Sequence, residues 1–331
     1  MENDRSKEKS FGAGGAVLLI ALAFALAALV VVGLYIFGSR QPTPPSEERA
    51  AALKTSSHSL LEQPEEILGS APARAEAPEV SEAAESSLYK EIIAEEEGLT
   101  VYLVQGKRWR GLLAVVDDPQ RVTIGTCGYF DEGKRGLTVQ EMADASGAVL
   151  AVNGGGFSDD GGNGLGGMPT GNVVEKGVLR MGYTSHTVGI DYDGRLFAGY
   201  INGAGCVERG LRWALSYGPT LITDGVICEG LSNDLEEPRT AVGQREDGSI
   251  LILALQGRQV SALGVTNLEL AHIMQELGAV NAGNMDGGAS SYMYYGGEYI
   301  NISNTGGYPR PIPTGILVMP AGYSETASNA G

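Results

Sequence analysis

From Leu99 to the C-terminus, short apolar runs alternate with Gly, Asp and Asn, a pattern that permits little except a strand-rich fold. Thr100–Val104, Leu112–Val116, Arg121–Ile124 and Ala148–Val152 read as strands, the last ending at Asn153. So do Val173-Val174, Thr187–Tyr192, Leu221-Ile222, Ile250–Leu255 and Thr314–Met319. Two segments break the period. Thr138–Ala145 predicts a short helix, with Thr138 as N-cap and Glu141 at the capping-box spacing. Asn267–Leu277 sets Leu268, Leu270, Ala271, Ile273, Met274 and Leu277 on one helical face, and Gly278 stops it. Many strands and few helices predict an α+β class: one mixed, strand-rich globular domain over residues 99–331. The 49 glycines suit tight turns and a site built from backbone.

The preceding residues differ in kind. Residues 13–37 are almost uninterrupted Ala, Val, Leu, Ile and Phe without a charge, enough to cross a hydrocarbon core of roughly 30 Å as a transmembrane helix. Arg5, Lys7 and Lys9 precede the run and only Arg40 follows closely. Residues 1–12 are therefore expected in the cytoplasm and the domain outside it, as a single-pass membrane protein. A cleaved signal peptide would have a shorter apolar core and a small-residue cleavage site. Residues 38–98, rich in Pro, Ala and Glu, read as a disordered stalk, in which Ser87–Glu97 suits one helix.

The net charge of −17 argues against nucleic acid as a partner. It says little about the substrate, because Gln41–Gly98 alone holds 13 Asp+Glu against 4 Lys+Arg. Cys127, Cys206 and Cys228 are too few for a disulfide scaffold and allow at most one internal bridge. Neither C-x-x-C nor H-E-x-x-H occurs, so the sequence offers no zinc motif.

Chemistry concentrates in Asn281-Ala282-Gly283-Asn284-Met285-Asp286-Gly287-Gly288-Ala289-Ser290-Ser291. It places one carboxylate, Asp286, between the helix and a strand at Tyr292–Tyr295, whose Gly296-Gly297 suits a hairpin turn. Gly287 and Gly288 clear space for a ligand, and Ser290 and Ser291 add hydroxyls. By itself the run also fits a plain Asp-Gly turn. Three further blocks accompany it. Asn153-Gly154-Gly155-Gly156-Phe157 ends a buried strand; Pro238-Arg239-Thr240 precedes the apolar run Ile250–Leu255; Pro309-Arg310-Pro311 lies near the C-terminus. A lone arginine is more often a surface ion pair, whereas a planar guanidinium fork also suits a phosphate.

These four blocks, in this order, resemble the phosphodiester glycosidase family, over roughly Asp118 to Val318. The resemblance extends through Pro169-Thr170-Gly171, Ser185-His186-Thr187 and Gly218-Pro219-Thr220, and Asp224-Gly225 reads as a hairpin turn. It departs in two places. One glycine of the Asn153 block replaces a bulkier or acidic residue, and Gln256 stands where relatives usually carry Asp.

The resemblance implies hydrolysis of the sugar–oxygen bond of a sugar-1-phosphodiester in a glycan or cell-wall polymer, without a cofactor. A phosphate monoester leaves readily, so the site needs less general acid than ordinary glycoside hydrolysis. It still needs a carboxylate facing the sugar and donors facing the phosphate. Asp286 is the expected carboxylate and His186 a second catalytic candidate, since His58 lies in the stalk and His272 on the helix. Asn153, Gly154, Gly155, Arg239, Thr240, Gly287, Gly288, Ser290, Ser291 and Arg310 are the expected substrate and phosphate contacts. Two other functions fit the same residues. One is a non-catalytic module binding cell-wall glycan or a protein, which Gln256 favours; the other is a metal-dependent phosphodiesterase using Asp286 and another carboxylate.

Overall fold

The computed structural model describes residues 87–159, 164–259, 262–301 and 309–325. The run at residues 13–37 and most of the stalk lie outside them. Among the described residues, no helix is long and apolar enough to cross a membrane.

Nearly every apolar run forms its strand. In chain order these are β1 (Tyr89–Glu96), β2 (Leu99–Gln105), β3 (Arg110–Val116), β4 (Val122–Thr126) and, after helix α1 (Val139–Ser146), β5 (Leu150–Asn153). There follow β6 (Val173–Glu175), β7 (Val178–Met181), β8 (Thr184–Asp191), β9 (Leu196–Asn202) and the short helix α2 (Gly203–Glu208). Next come β10 (Leu211–Ser216), β11 (Thr220–Thr223), β12 (Val226–Ile227), β13 (Arg239–Arg245) and β14 (Ile250–Leu255). Helix α3 (Asn267–Glu276) leads into β15 (Ala279–Met285), β16 (Met293–Tyr295), β17 (Glu298–Asn301) and β18 (Thr314–Val318). Thr138 and Thr266 cap α1 and α3 with complete capping boxes. Asp224-Gly225 and Gly296-Gly297 turn the hairpins β11–β12 and β16–β17.

Among the described residues the strands form three antiparallel sheets. The largest runs β1-β2-β3-β14-β13-β15-β11-β12, the second β7-β6-β10-β8-β9 and the third β17-β16-β5-β18-β4. Both faces of the large sheet are covered, which is why β3 and β14 are unbroken apolar runs rather than alternating ones. Ile250, Ile252 and Ala254 face a core shared with Val152, Val188, Trp213 and Ile316 of the other two sheets. Leu251, Leu253 and Leu255 face Leu270, Ala271 and Met274 of α3. Helix α1 closes the far side of the third sheet through Val139, Met142 and Ala143.

Two segments differ from expectation. The sequence places Tyr89–Glu96 in the stalk, within a helix over Ser87–Glu97; in the structure it pairs with β2 along its length and begins the domain before Leu99. Its glutamates favour a helix locally, but the open backbone of β2 offers a full ladder, and Lys90, Glu91 and Glu95 blunt the new sheet edge. The second is Ala279–Met285, which carries no apolar alternation yet forms β15, an interior strand of the large sheet between β13 and β11. A Cβ at Gly283 would come within 2.3 Å of Val188 Cγ2, so that side-chain-free position lets the second sheet pack against this strand.

Candidate active site

Strand β15 ends opposite the start of β13, with Met285 paired to Thr240, and Asp286 is the next residue. Its backbone is fixed from both sides. The Asp286 N–H donates to the Gly154 carbonyl at 3.2 Å. Its own carbonyl accepts from Asn153 Nδ2 at 2.5 Å. Asn153 Oδ1 in turn accepts from the Thr240 hydroxyl at 2.8 Å, which lies 3.2 Å from the Ser291 hydroxyl. Asn153, Thr240 and Ser291 are fully buried, so this chain of hydrogen bonds joins the ends of β5, β13 and the segment after β15 beneath the site.

The Asp286 side chain is half-buried. Its Oδ1 accepts from the Gly287 N–H at 3.0 Å. The Ser290 hydroxyl, returned by a 3₁₀ turn over Gly288–Ser290, bonds it as well. Desolvation pushes the carboxyl up to about 6 against the lowering effect of Ser290, Gly287 and Arg310, and the Asp159 charge pushes the same way. Gly287 and Gly288 both need their bareness. A Cβ on Gly287 would lie 2.7 Å from the Pro238 carbonyl, and Gly288 has φ +58.

Around this carboxylate stand charged and aromatic groups. Arg310 binds Asp159 at 2.7 Å and lies 4.8 Å over the Phe157 ring. Asp159 is held below the usual carboxylate range, desolvation being outweighed by the bonds from Arg310 and the Gly164 N–H. Tyr217 packs beside Gly156, where a Cβ would meet its ring at 2.7 Å. Desolvation and then the Asp286 charge raise its phenol. Arg239 is buried and donates to the Val265 and Leu235 carbonyls at 3.2 Å each. Arg258 pairs with Glu237 at 3.1 Å.

Of the residues expected from sequence, Asn153, Thr240, Asp286, Gly287, Gly288, Ser290 and Ser291 come together, with Arg310 within electrostatic reach of the carboxylate. Gly154 and Gly155 are placed differently from expectation. Both are buried, and their N–H groups donate to the Thr314 carbonyl and hydroxyl, so they pack the floor rather than face a phosphate. A Cβ on either would come within 2.6 Å of a main-chain carbonyl. His186 stands on β8, its Nδ1 2.9 Å from the Thr220 hydroxyl and its ring edge-on to Tyr200. It shares no partner with Asp286 among the described residues.

Gln256 accepts from Arg110 Nε at 2.6 Å, so its amide meets a cation at the start of β3. Asp159, Tyr217, Glu237 and Arg258 carry no sequence signal of a site role. Each adjoins a recognised block, but strand ends bring them together and spacing carries no sign of that. Among the described residues, no group of three or more His, Cys, Asp or Glu is arranged to hold a metal ion. A cavity of about 810 Å³ lies at the opposite ends of the same strands, lined by Asp191, Asp193–Ala198 and Gln244–Gly248 among others.

A family model described as phosphodiester glycosidase matches residues 146–319, from just before β5 to the end of β18. The chain belongs to the phosphodiester glycosidase family. It is 27% identical over 190 residues to the SPbeta prophage-derived uncharacterized protein YomE of Bacillus subtilis, covering 55% of this chain and 29% of that one. It is 30% identical over 179 residues to bovine N-acetylglucosamine-1-phosphodiester alpha-N-acetylglucosaminidase, covering 48% of this chain and 33% of that protein. The chain thus spans about a third of the length of these curated relatives.

The fold is shared with the catalytic domain of the zebrafish N-acetylglucosamine-1-phosphodiester alpha-N-acetylglucosaminidase. The TM-score is 0.57 at 21% identity, over 70% of this chain and 87% of that one. It is shared also with a hypothetical protein from Synechocystis, with TM-score 0.53 at 16% identity, over 67% and 62% of the two chains. The family match spans every element that contacts Asp286.

The buried chain beneath Asp286 makes one substitution decisive. Thr240→Val keeps the shape but removes the hydroxyl between Asn153 and Ser291, leaving buried groups without it. Unfolding measurements are expected to show a loss of about 1–3 kcal/mol. The kcat should fall as well, because Asn153 no longer fixes the Asp286 backbone; wild-type stability would show that the chain is not formed.

Proposed function

We propose that this protein hydrolyses the sugar–oxygen bond of a sugar-1-phosphodiester in a glycan or cell-wall polymer. The observation that carries this is the half-buried carboxylate of Asp286, fixed at the end of an interior strand, with the Arg310 guanidinium within electrostatic reach and that of Arg258 beside Gly288. A phosphodiester brings negative charge, and cleavage at the anomeric carbon develops positive charge on the sugar. Arginines on one side and a carboxylate on the other match that separation.

The chemistry is simplest with Asp286 ionised. In a desolvated pocket its charge acts on the oxocarbenium-like sugar more strongly than in water. Alternatively it orients a water on that carbon. The Gly287 N–H and the Ser290 hydroxyl hold the carboxylate in place and need not move as charge develops. The departing phosphate monoester is stable as an anion, so the absence of a strongly acidic partner is no obstacle. Gln256 bears on the non-catalytic alternative. Its amide bonds Arg110 as a neutral acceptor, and the hydrogen-bond chain under Asp286 does not include it. That supports an enzyme over a binding module.

For location, the apolar run at residues 13–37 with its basic N-terminal flank supports a single-pass anchor and a domain outside the cytoplasm. Substrate would then come from the cell envelope.

The kcat/KM on a sugar-1-phosphodiester should rise with pH through about 6, as Asp286 ionises, and then level off. Asp286→Asn should cut activity by at least about 100-fold. Its effect on stability follows from the direction of the shift. A carboxyl raised on folding keeps its proton longer in the native state, so ionising it costs stability, with nothing lost near pH 4 and the full cost above about 6. Asparagine still accepts from the Gly287 N–H, so the variant should melt higher than wild type at pH 7 to 8 and not at pH 4. An active Asp286→Asn, or a rate that falls above pH 6, contradicts the role. Separately, protease added to intact cells should release a fragment cut before Ser87; protection until lysis would refute the topology.

A further inference from the structure

Three guanidinium groups stand near the Asp286 turn, and their surroundings assign them different work. Arg239, at the start of β13, is buried; its Nε and Nη2 donate to the main-chain carbonyls of Val265 and Leu235. Those bonds tie the segments before β13 and before α3 to the sheet. Arg310 is neutralised by Asp159 at 2.7 Å and lies over Phe157. Arg258 also meets a carboxylate, but its ion pair is longer and more open to water.

Arg258 has φ +57, a left-handed backbone that side-chain-bearing residues rarely adopt, and its N–H donates to the Leu263 carbonyl at 3.0 Å. Its side chain is 43% exposed and meets one carboxylate, Glu237, at 3.1 Å. An ion pair that open to water contributes little, so it does not offset the backbone strain. What the strained backbone does accomplish is placement. The Arg258 guanidinium reaches to within 3.3 Å of where a Cβ on Gly288 would stand. Gly288 is two residues past Asp286 and is itself left-handed at φ +58. A cation is thereby set against bare backbone beside the carboxylate, with a planar fork able to take two phosphate oxygens.

Resting on the sugar-1-phosphodiester reading, we propose that Arg258 is the residue that grips the substrate phosphate, exchanging Glu237 for the phosphate oxygens, while Arg239 braces the surrounding loops. The bare Gly288 lets the guanidinium lie close against the Asp286 turn, where its outward edge can take the phosphate oxygens. The cation also screens two negative groups from one another, since the phosphodiester must approach the Asp286 carboxylate.

The test compares full-length wild type with Arg258→Gly, Arg258→Lys and Arg239→Ala. Binding of N-acetylglucosamine 1-phosphate is measured by calorimetry, and hydrolysis is followed with its methyl phosphodiester. Arg258→Gly relieves the left-handed strain, so its Tm should not fall, whereas affinity for the sugar phosphate should drop about tenfold to 100-fold. The KM should rise in step and kcat change less. Arg258→Lys should recover only part, as a point charge lacks the fork. Arg239→Ala should lower Tm more than it lowers affinity for the sugar phosphate. Unchanged sugar-phosphate affinity in Arg258→Gly, or a Tm loss without an affinity loss, overturns the assignment. If wild type binds the sugar phosphate but hydrolyses no diester, the catalytic reading fails while the affinity comparison still decides Arg258. If wild type binds no sugar phosphate, both fail.

Discussion

A buried hydroxyl, a buried amide and a main-chain carbonyl hold this site together. Thr240, Asn153 and Asp286 lie at the ends of strands from two different sheets, and the hydrogen bonds among them are a polar link across a largely apolar seam. Thr240 and Asn153 are costly to leave unpaired at zero exposure, so the link favours one alignment of the sheets over neighbouring ones. The alignment in turn sets Asp286. Gly154 takes its N–H and Asn153 its carbonyl, leaving only the side chain to vary. The carboxylate is then confined by Gly287 and Ser290. A displacement of an ångström at any link would be felt at the carboxylate.

The same arrangement works against stability. Desolvation makes the Asp286 charge expensive, and it lowers the affinity of Arg239 for its proton despite the nearby Glu237 carboxylate. The left-handed backbone at Arg258 adds strain. A chain selected only for stability would put apolar or neutral residues in these places. The large sheet tolerates the cost because both of its faces are covered, one by the other two sheets and one by α3. A scaffold buried on both sides can hold an unfavourable carboxylate at its rim without losing its register.

Much of this was legible in the residues, for particular reasons. Ile250–Leu255 is unbroken because it is buried on both faces, and it reads as a strand for that reason. Thr138 and Thr266 announce helix starts because capping is a local interaction. Asp286 could be found because a carboxylate among glycines and serines, repeated with three other blocks, is specific chemistry. What stayed hidden is non-local. The strand at Ala279–Met285 has polar and glycine residues where strands usually alternate, and only its neighbours make it one. Tyr89–Glu96 looks helical until β2 is present to pair with it. The glycines of the Asn153 block look like an anion cradle, yet their N–H groups are engaged by Thr314 and Ser216, residues distant in sequence. Arg258 lies two residues past Gln256, and nothing in its spacing discloses its approach to Gly288.

The central claim is that the bond broken is sugar to oxygen, with Asp286 acting on the sugar. Hydrolysis of a sugar-1-phosphodiester in water enriched with oxygen-18, followed by mass spectrometry of the released phosphate monoester, tests it most directly. The phosphate product is the one to read, because a free sugar can exchange its anomeric oxygen with water. Cleavage at the anomeric carbon leaves that phosphate without label. Label in the phosphate would mean attack at phosphorus, and the assignment of Asp286 to the sugar would be wrong.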